Sequence, residues 1–176
     1  WSSDLCSSDL VETAARAFLT EHADLFELRG DGADLVQTSI RRGRSTTYVR
    51  FGQVVGGLPV FDREVIVGID ATADVALVKS VHLAHASRPT LPGGLADRGA
   101  DAAVAAAMHA AGTAAGALSE PATRGLFASP AGAPLALAYR VRLAAVEFGV
   151  DADAGAVLWR KARRVYADGT GLVFDP

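Results

Sequence analysis

Four histidines are the side chains in this sequence most suited to chemistry, because imidazole serves both as a metal ligand and as a proton carrier. They are His22, His82, His85 and His109, and the zinc-binding pattern H-E-x-x-H does not occur. His82 and His85 could share a metal ion, but no acidic residue or cysteine stands near them at metal-ligand spacing. Zinc sites need three or four convergent ligands. We therefore interpret the pair as exposed and expect no metal or other cofactor in this chain.

Nucleophilic and phosphate-binding patterns are also absent from the sequence. It has no G-x-S-x-G, and its one cysteine is Cys6. Gly56-Gly57 and Gly93-Gly94 lack the lysine or the strand-to-helix context of a phosphate loop. Asp151 and Asp153 could suggest calcium, but their segment is too short for an EF-hand loop, and a turn held by Asx hydrogen bonds explains them better. The chain is therefore predicted not to be an enzyme.

Two basic clusters could serve recognition instead. They are Arg41, Arg42 and Arg44, and the run Arg160-Lys161-x-Arg163-Arg164. Solvated strand ends are the simplest interpretation of both. The alternative is a docking face for an acidic partner, which would raise the rate of association more than the affinity.

A hairpin between Thr46 and Ile69 is the most clearly encoded element. Its first strand, Tyr48 to Val55, is rich in β-branched and aromatic residues. Gly56-Gly57 predicts a two-residue turn, because both glycines can adopt positive φ. The apolar alternation changes phase in the second strand, so a bulge or kink is predicted at Phe61-Asp62-Arg63.

Two polar side chains, Arg50 and Gln53, lie on opposite faces of the first strand and so cannot form a single polar site. An unpaired polar group in a sheet costs stability. We therefore expect one of the two to tie the sheet to a neighbouring element through a buried hydrogen bond.

The composition limits the class of protein. The 176 residues, half of them hydrophobic, suffice for one larger domain or two small ones. A net charge of −3 and a pI near 5.8 argue against a nucleic-acid partner. No run approaches the roughly 18 apolar residues of a membrane span. Neither nucleic acid nor membrane is therefore expected as a partner.

Both ends of the sequence are abrupt. Residues 1–10 contain Ser-Ser-Asp-Leu twice, which we interpret as a translated sequencing artefact that includes Cys6. The last residues, Gly171 to Pro176, end on an extended segment. We interpret the chain as truncated at both ends, so the lack of a signal peptide does not bear on its localisation.

Helical and strand patterns alternate in the same order twice. An amphipathic helix over Val11 to His22, with Phe18 and Leu19 in the core, precedes strands over residues 35–40, 48–55, 58–69 and 75–83. An alanine-rich helix over 101–117, with Val104, Met108 and Ala111 along one stripe, precedes strands over 126–128, 135–146 and 156–166. We predict an α+β fold of two tandem modules, each a helix packed on an antiparallel sheet.

Two stretches carry a pattern that resembles a known family. Tyr48-Val49-Arg50-Phe51-Gly52-Gln53, followed by Gly57-Leu58-Pro59-Val60-Phe61, is similar to the fungalysin and thermolysin propeptide domain. The stretch from Gly149 to Leu158, with Asp151 and Gly155 at its turn, resembles the closing hairpin of a PepSY domain. The two occur in the order found in those precursors, and the chain looks more fungalysin-like than thermolysin-like.

The resemblance implies a cystatin-like layout for each module. Residues 11–86 would form the propeptide-like domain, 87–99 a linker and 100–166 the PepSY-like domain. Residues 167–176 would form a connector towards a catalytic domain outside this chain.

The resemblance also implies a function. The chain would be the N-terminal propeptide of a secreted zinc metalloprotease, acting as intramolecular chaperone and as inhibitor of the zymogen. Its partner would be the cognate catalytic domain, in cis and, after cleavage, in trans. Zinc is expected only in that domain. The alternative is a stand-alone module that binds a peptide or a small ligand.

Candidate docking residues lie next to the connector, where aromatic and basic side chains are interleaved. Both types are enriched at interface hot spots. The candidates are Trp159, Arg160, Arg163, Arg164, Tyr166 and Phe174. The alternative for Trp159 is a place in the core.

Overall fold

The computed structural model describes residues 3–84, 96–112, 118–129 and 134–163, in which two helices and eight strands occur. The helices are α1 (Ser3–Glu21) and α2 (Ala100–Ala111). The strands are β1 (Leu35–Arg42), β2 (Thr46–Val55), β3 (Leu58–Asp70), β4 (Val75–Val81), β5 (Thr123–Phe127), β6 (Ala136–Arg142), β7 (Val146–Asp151) and β8 (Val157–Ala162).

The elements fall into two compact units. The first contains α1 with β1 to β4, and the second contains α2 with β5 to β8. In the first unit β1 pairs with β2, β2 with β3 and β3 with β4, all antiparallel. In the second unit β5 pairs with β6, β6 with β7 and β7 with β8, again antiparallel. The domain boundaries assigned from the sequence stay a prediction.

The predicted α+β fold of two tandem modules, each with a cystatin-like layout, was wrong. Strands dominate the described residues: eight strands stand against two helices, and strand-to-strand pairing within each unit, rather than helix-on-sheet packing, makes up most of the fold. Periodicity shows that a segment is a strand. It does not show which strand edges pair, because the pairing groups are backbone N–H and C=O, which every residue type carries.

The core of the first unit lies between α1 and one face of its strands. Ala15 and Leu19 of α1 are buried and belong to one cluster with Val49, Phe51 and Val65. Phe18, which was expected in the core, is only partly buried and packs against that cluster. The helix begins at Ser3 rather than at Val11.

The hairpin of β2 and β3 has the predicted turn and the predicted irregularity. Gly56 and Gly57 have φ values of 57° and 77°, as a primed turn requires. Residues 60–63 of β3 stand opposite Gln53 alone, because the pairing moves from Gly52↔Glu64 to Val54↔Pro59. Within this bulge the φ of Asp62 is 59°. Both predictions are therefore confirmed.

Gly57→Val is expected to lower the free energy of unfolding by about 1–2 kcal/mol. A Cβ at Gly57 would have no neighbour within 4 Å, so the cost comes from the positive φ and not from a collision. Gly57→Asn is the matched control, because asparagine tolerates this conformation. Urea denaturation measures both variants, and an unchanged midpoint for the valine variant would mean that the turn does not need glycine.

The core of the second unit is formed by α2 against β6, β7 and β8. The buried residues of the helix are Ala103 and Ala107, whose small side chains let the helix approach the sheet closely. The predicted stripe of Val104, Met108 and Ala111 is not the buried one, since Met108 is 37% exposed. The helix ends at Ala111, and Gly112 follows with a φ of 82°.

Candidate partner interface

Gln53 is fully buried, and its side chain hydrogen-bonds the backbone of the segment that follows β4, as a neighbouring strand would. Its side-chain Nε2 donates to the Leu83 carbonyl at 2.8 Å, and the Leu83 N–H donates to its Oε1 at 2.8 Å. These are the two hydrogen bonds that a neighbouring backbone would make. The buried hydrogen bond expected on this strand is therefore made by Gln53.

His82 belongs to the same attachment and is half-buried, whereas the sequence predicted an exposed pair. Its Nε2 contacts the Phe26 carbonyl, and its Nδ1 contacts the Ser80 hydroxyl. His85 lies outside the described residues. Among the residues that the structure describes, no three His, Cys, Asp or Glu side chains form a group that could hold a metal ion.

Arg50 lies on the face of β2 opposite to Val49 and Phe51, and no helix among the described residues of its unit packs there. We call this side of β1 to β4 the open face. Arg50 Nη1 donates to both carboxylate oxygens of Glu64, at 2.9 and 2.7 Å. With 44% and 34% of these side chains exposed, the ion pair contributes about 0–1 kcal/mol. Its contribution to stability is small, and the Arg50 side chain is partly exposed on the open face.

Around this ion pair the open face carries apolar side chains together with Ser39, Arg41 and Lys79. Strand pairing places its side chains in rows, because directly opposed residues point to the same side. One row pairs Val36 with Gly52, Glu64 and Val81, another pairs Arg50 with Ile66 and Lys79, and a third pairs Arg41 with Tyr48, Gly68 and Leu77.

Pro59 and Val60, the other hairpin positions of the family pattern, serve the turn. Pro59 is exposed at the second position of β3, opposite Val54. Val60 is buried at the start of the bulge and has 4% of its surface exposed. Together with Gly57 they form the turn and the first residues of β3.

The Asp151 turn between β7 and β8 is held as the sequence predicted. Asp151 Oδ1 accepts from the backbone N–H groups of Asp153 and Ala154, at 2.9 and 2.7 Å. Gly155 closes the turn with a φ of 72°. This is the Asx arrangement, so the Asp151 side chain has a structural explanation.

Trp159 packs on the sheet of the second unit. Its indole lies over Gly149, its partner across β7 and β8, where an added Cβ would be 2.7 Å from Cδ1. The Arg140 guanidinium and the Lys161 ammonium are 5.9 and 5.1 Å from the ring centroid. The side chain is half-buried. Trp159 is therefore not part of the fully buried core, and its role in docking stays a prediction.

Of the other predicted docking residues, the structure describes Arg160 and Arg163. Arg160 is on the opposite face of β8, over the Phe148 ring at 5.7 Å. Arg163 donates to Ser119 Oγ at 2.7 Å and to the Leu143 carbonyl at 3.0 Å. Arg164, Tyr166 and Phe174 lie outside the described residues.

Asp97 is the centre of a polar cluster that the sequence did not indicate. It accepts from the Gly99 N–H at 2.9 Å, from Arg124 Nε at 2.8 Å and from the Tyr139 hydroxyl at 3.0 Å. The Gly99 N–H is the largest cause that holds the pKa of Asp97 below its ordinary value of 3.8, with Tyr139 and Arg124 adding to it. Burial, together with Asp97, raises the pKa of Tyr139.

The protein is expected to lose stability in acid partly through Asp97. Because its folded-state pKa lies below the unfolded value of 3.8, its contribution is complete above that pH and is lost as the pH falls through the folded pKa. Asp97→Asn should flatten the acid limb of a stability-against-pH curve measured by urea denaturation. An unchanged slope below pH 4 would exclude this role for Asp97.

The hairpin of β2 and β3 lies in a segment that matches a known protein family. Residues 42–79 match the family model described as Fungalysin/Thermolysin Propeptide Motif. The matched segment covers β2, β3 and the flanking parts of β1 and β4. No curated protein sequence matches the chain.

Solved structures show what the whole chain is similar to. The C-terminal domain of Bacillus megaterium YpeB matches with a TM-score of 0.51 and 11% identity, over 86% of this chain and 63% of that chain. A protein of Clostridium difficile 630, described as a candidate lipoprotein, matches with a TM-score of 0.30 and 18% identity, over 82% of this chain and 91% of that chain. The chain thus spans 63% of the length of the YpeB domain.

The resemblance of the hairpin to the fungalysin/thermolysin propeptide, drawn from the sequence, is confirmed. The chain carries a fungalysin/thermolysin propeptide motif, and its structural match to the YpeB domain is consistent with a propeptide motif followed by a PepSY-like module. That motif is named for the propeptides of fungalysin and thermolysin. In the described part of the chain, no helix is both long and apolar enough to cross a membrane.

Proposed function

We propose that this chain is the propeptide of a secreted zinc metalloprotease, and that it assists folding of the catalytic domain and inhibits it until cleavage. The observation that carries the proposal is the propeptide motif over residues 42–79. The motif positions Arg50, Gln53 and Gly57 each have a defined place in one hairpin.

The structure of the first unit suits a folding template. A template must fold before its client, and it lowers the entropic cost of binding only if its surface is already ordered. Gln53 and the bulge around Asp62 hold the hairpin in one register, and Val49 and Phe51 anchor it in a fully buried core. The client's zinc would be held by the catalytic domain and not by this chain.

The experiment that tests the proposal separates the two activities. The full chain is added in trans to the mature catalytic domain encoded in the same precursor, and residual peptidase activity is measured. In a second assay the denatured catalytic domain is refolded with and without the chain. We expect slower peptide hydrolysis in the first assay and a higher yield of active enzyme in the second.

The control is the same chain carrying a substitution that unfolds it, which should have neither effect. A well-folded wild-type chain that gives no inhibition at micromolar concentration would overturn the inhibitory role. A refolding yield that does not depend on the chain would overturn the chaperone role. A precursor that encodes no catalytic domain would favour the stand-alone binding module.

A further inference from the structure

We infer that the open face of the first unit is the surface that binds the catalytic domain, and that the partner surface it fits is apolar and acidic. The inference rests on the proposed function and goes beyond it by naming the surface and the chemistry of the partner. It also differs from the docking site next to the connector that the sequence suggested.

The apolar character of the open face is the first observation. Val36, Leu77 and Val81 have 49%, 50% and 43% of their surface exposed, and the strand pairing places all three on this face. Half-buried Ile66 and Tyr48 lie between them. Large apolar side chains gathered on one face are typical of a protein-binding surface.

Side chains of the open face also pack against one another without a bound partner. Gly52 and Gly68 carry no side chain in its middle rows, and the Tyr48 ring covers Gly68 with its Cε1 at 3.3 Å from an ideal Cβ there. The Leu77 Cβ lies at 3.4 Å from the same point. Side chains that are fixed against their neighbours lose little entropy on binding.

The charges on the open face select the kind of partner. Its cations are Arg41, Arg50 and Lys79. Arg50 is paired with Glu64, and the Asp70 carboxylate at the end of β3 accepts from Thr72 and Asp74 in the following turn. Within the described residues, Arg41 and Lys79 form no ion pair. Asp70 keeps its charge, since its donors are neutral. The three cations still outnumber the two carboxylates, Glu64 and Asp70, so the face carries a small net positive charge on a chain whose net charge is −3.

A positive apolar face disfavours a second copy of this chain as the occupant. A two-fold contact would bring the same patch of both copies together, so Arg41 and Lys79 would approach their equivalents. Like charges across an interface reduce affinity, whereas acidic groups on a different partner would complement them. The occupant is therefore a different protein, which under the proposed function is the catalytic domain.

The two lysines of the chain give a built-in test, because one lies on each candidate surface. Lys79 is on the open face, and Lys161 is beside Trp159 in β8. The full chain is acetylated at low reagent concentration, alone and with the catalytic domain, and each lysine is quantified by mass spectrometry. We expect Lys79 to be protected in the complex and Lys161 to react at an unchanged rate.

Substitutions make the same comparison by affinity. Leu77→Ser with Lys79→Glu should weaken binding at least about tenfold, since the variant removes an exposed apolar contact and reverses a charge. Lys161→Glu is the matched charge reversal on the other surface and should change the affinity less than about twofold. Thermal unfolding curves of both variants check that they are folded.

Each outcome decides the inference. Wild-type binding with protection of Lys79 and loss of affinity in the open-face variant supports it. Binding that is insensitive to the open-face variant, or that protects Lys161 alone, overturns the inference and leaves the proposed function intact. No binding by the folded wild-type chain overturns both. Sedimentation that shows a dimer, disrupted by the open-face variant, identifies a second copy as the occupant and also overturns the inference.

Discussion

Gln53→Glu is expected to lower the free energy of unfolding by about 3–5 kcal/mol, because it leaves an uncompensated charge in a fully buried site. The carboxylate could still accept from the Leu83 N–H, but it has no proton to donate to the Leu83 carbonyl. One backbone acceptor would therefore lose its partner while a charge is desolvated. The attachment of the segment after β4 would weaken rather than be lost, since the segment would keep the Leu83 N–H bond and the contact of His82 with Phe26.

Two control substitutions separate the charge from the hydrogen bonds. Gln53→Met removes both hydrogen bonds without adding charge and should cost about 2–4 kcal/mol, the cost of leaving two backbone groups unsatisfied. Arg50→Gln changes the neighbouring polar position on the open face and should cost less than about 1 kcal/mol. Urea denaturation measures all three variants. A loss for Gln53→Glu no larger than that for Arg50→Gln would show that the contacts to Leu83 do not hold the segment.

The second large effect is expected at Gly149. Gly149→Ala should lower the free energy of unfolding by about 2–3 kcal/mol, because the added methyl would collide with the indole of Trp159. The indole would have to leave its position between Arg140 and Lys161. The cost is therefore one of displaced packing and not of backbone strain.

A double-mutant cycle tests this explanation. In a Trp159→Ala background, Gly149→Ala should cost less than about 0.5 kcal/mol, since the colliding ring is gone. Trp159→Ala alone should lower stability and inhibition together, as expected for a packed residue. A cost of Gly149→Ala that is the same in both backgrounds would rule out the contact, and inhibition lost at full stability would support Trp159 as a docking residue.

The buried and the exposed side of the hairpin are expected to serve stability and partner binding separately. Residues 42–79 both match the propeptide motif and form most of the open face. Substitutions at Gln53 act on the buried side of the hairpin, whereas those at Leu77 and Lys79 act on its exposed side. Loss of stability and loss of binding are therefore expected from different residues of the same element.

The sequence by itself determined what depends on neighbours along the chain. The positive φ of Gly56 and Gly57, the bulge that includes Asp62 and the Asx turn at Asp151 follow from residues within a few positions of one another. Their physical causes are local: glycine lacks a Cβ, a change of phase needs an extra residue, and an aspartate can bond its own following N–H groups.

Only the tertiary structure decided what depends on partners distant in sequence. Gln53 bonds Leu83, Tyr139 bonds Asp97 and Trp159 covers Gly149, pairs separated by 30, 42 and ten positions. The strand pairing within each unit is of the same kind. A side chain's type shows that it needs a partner, but the partner is chosen by which strands pair and by which face each residue takes, and backbone hydrogen bonds that drive pairing are common to all residues.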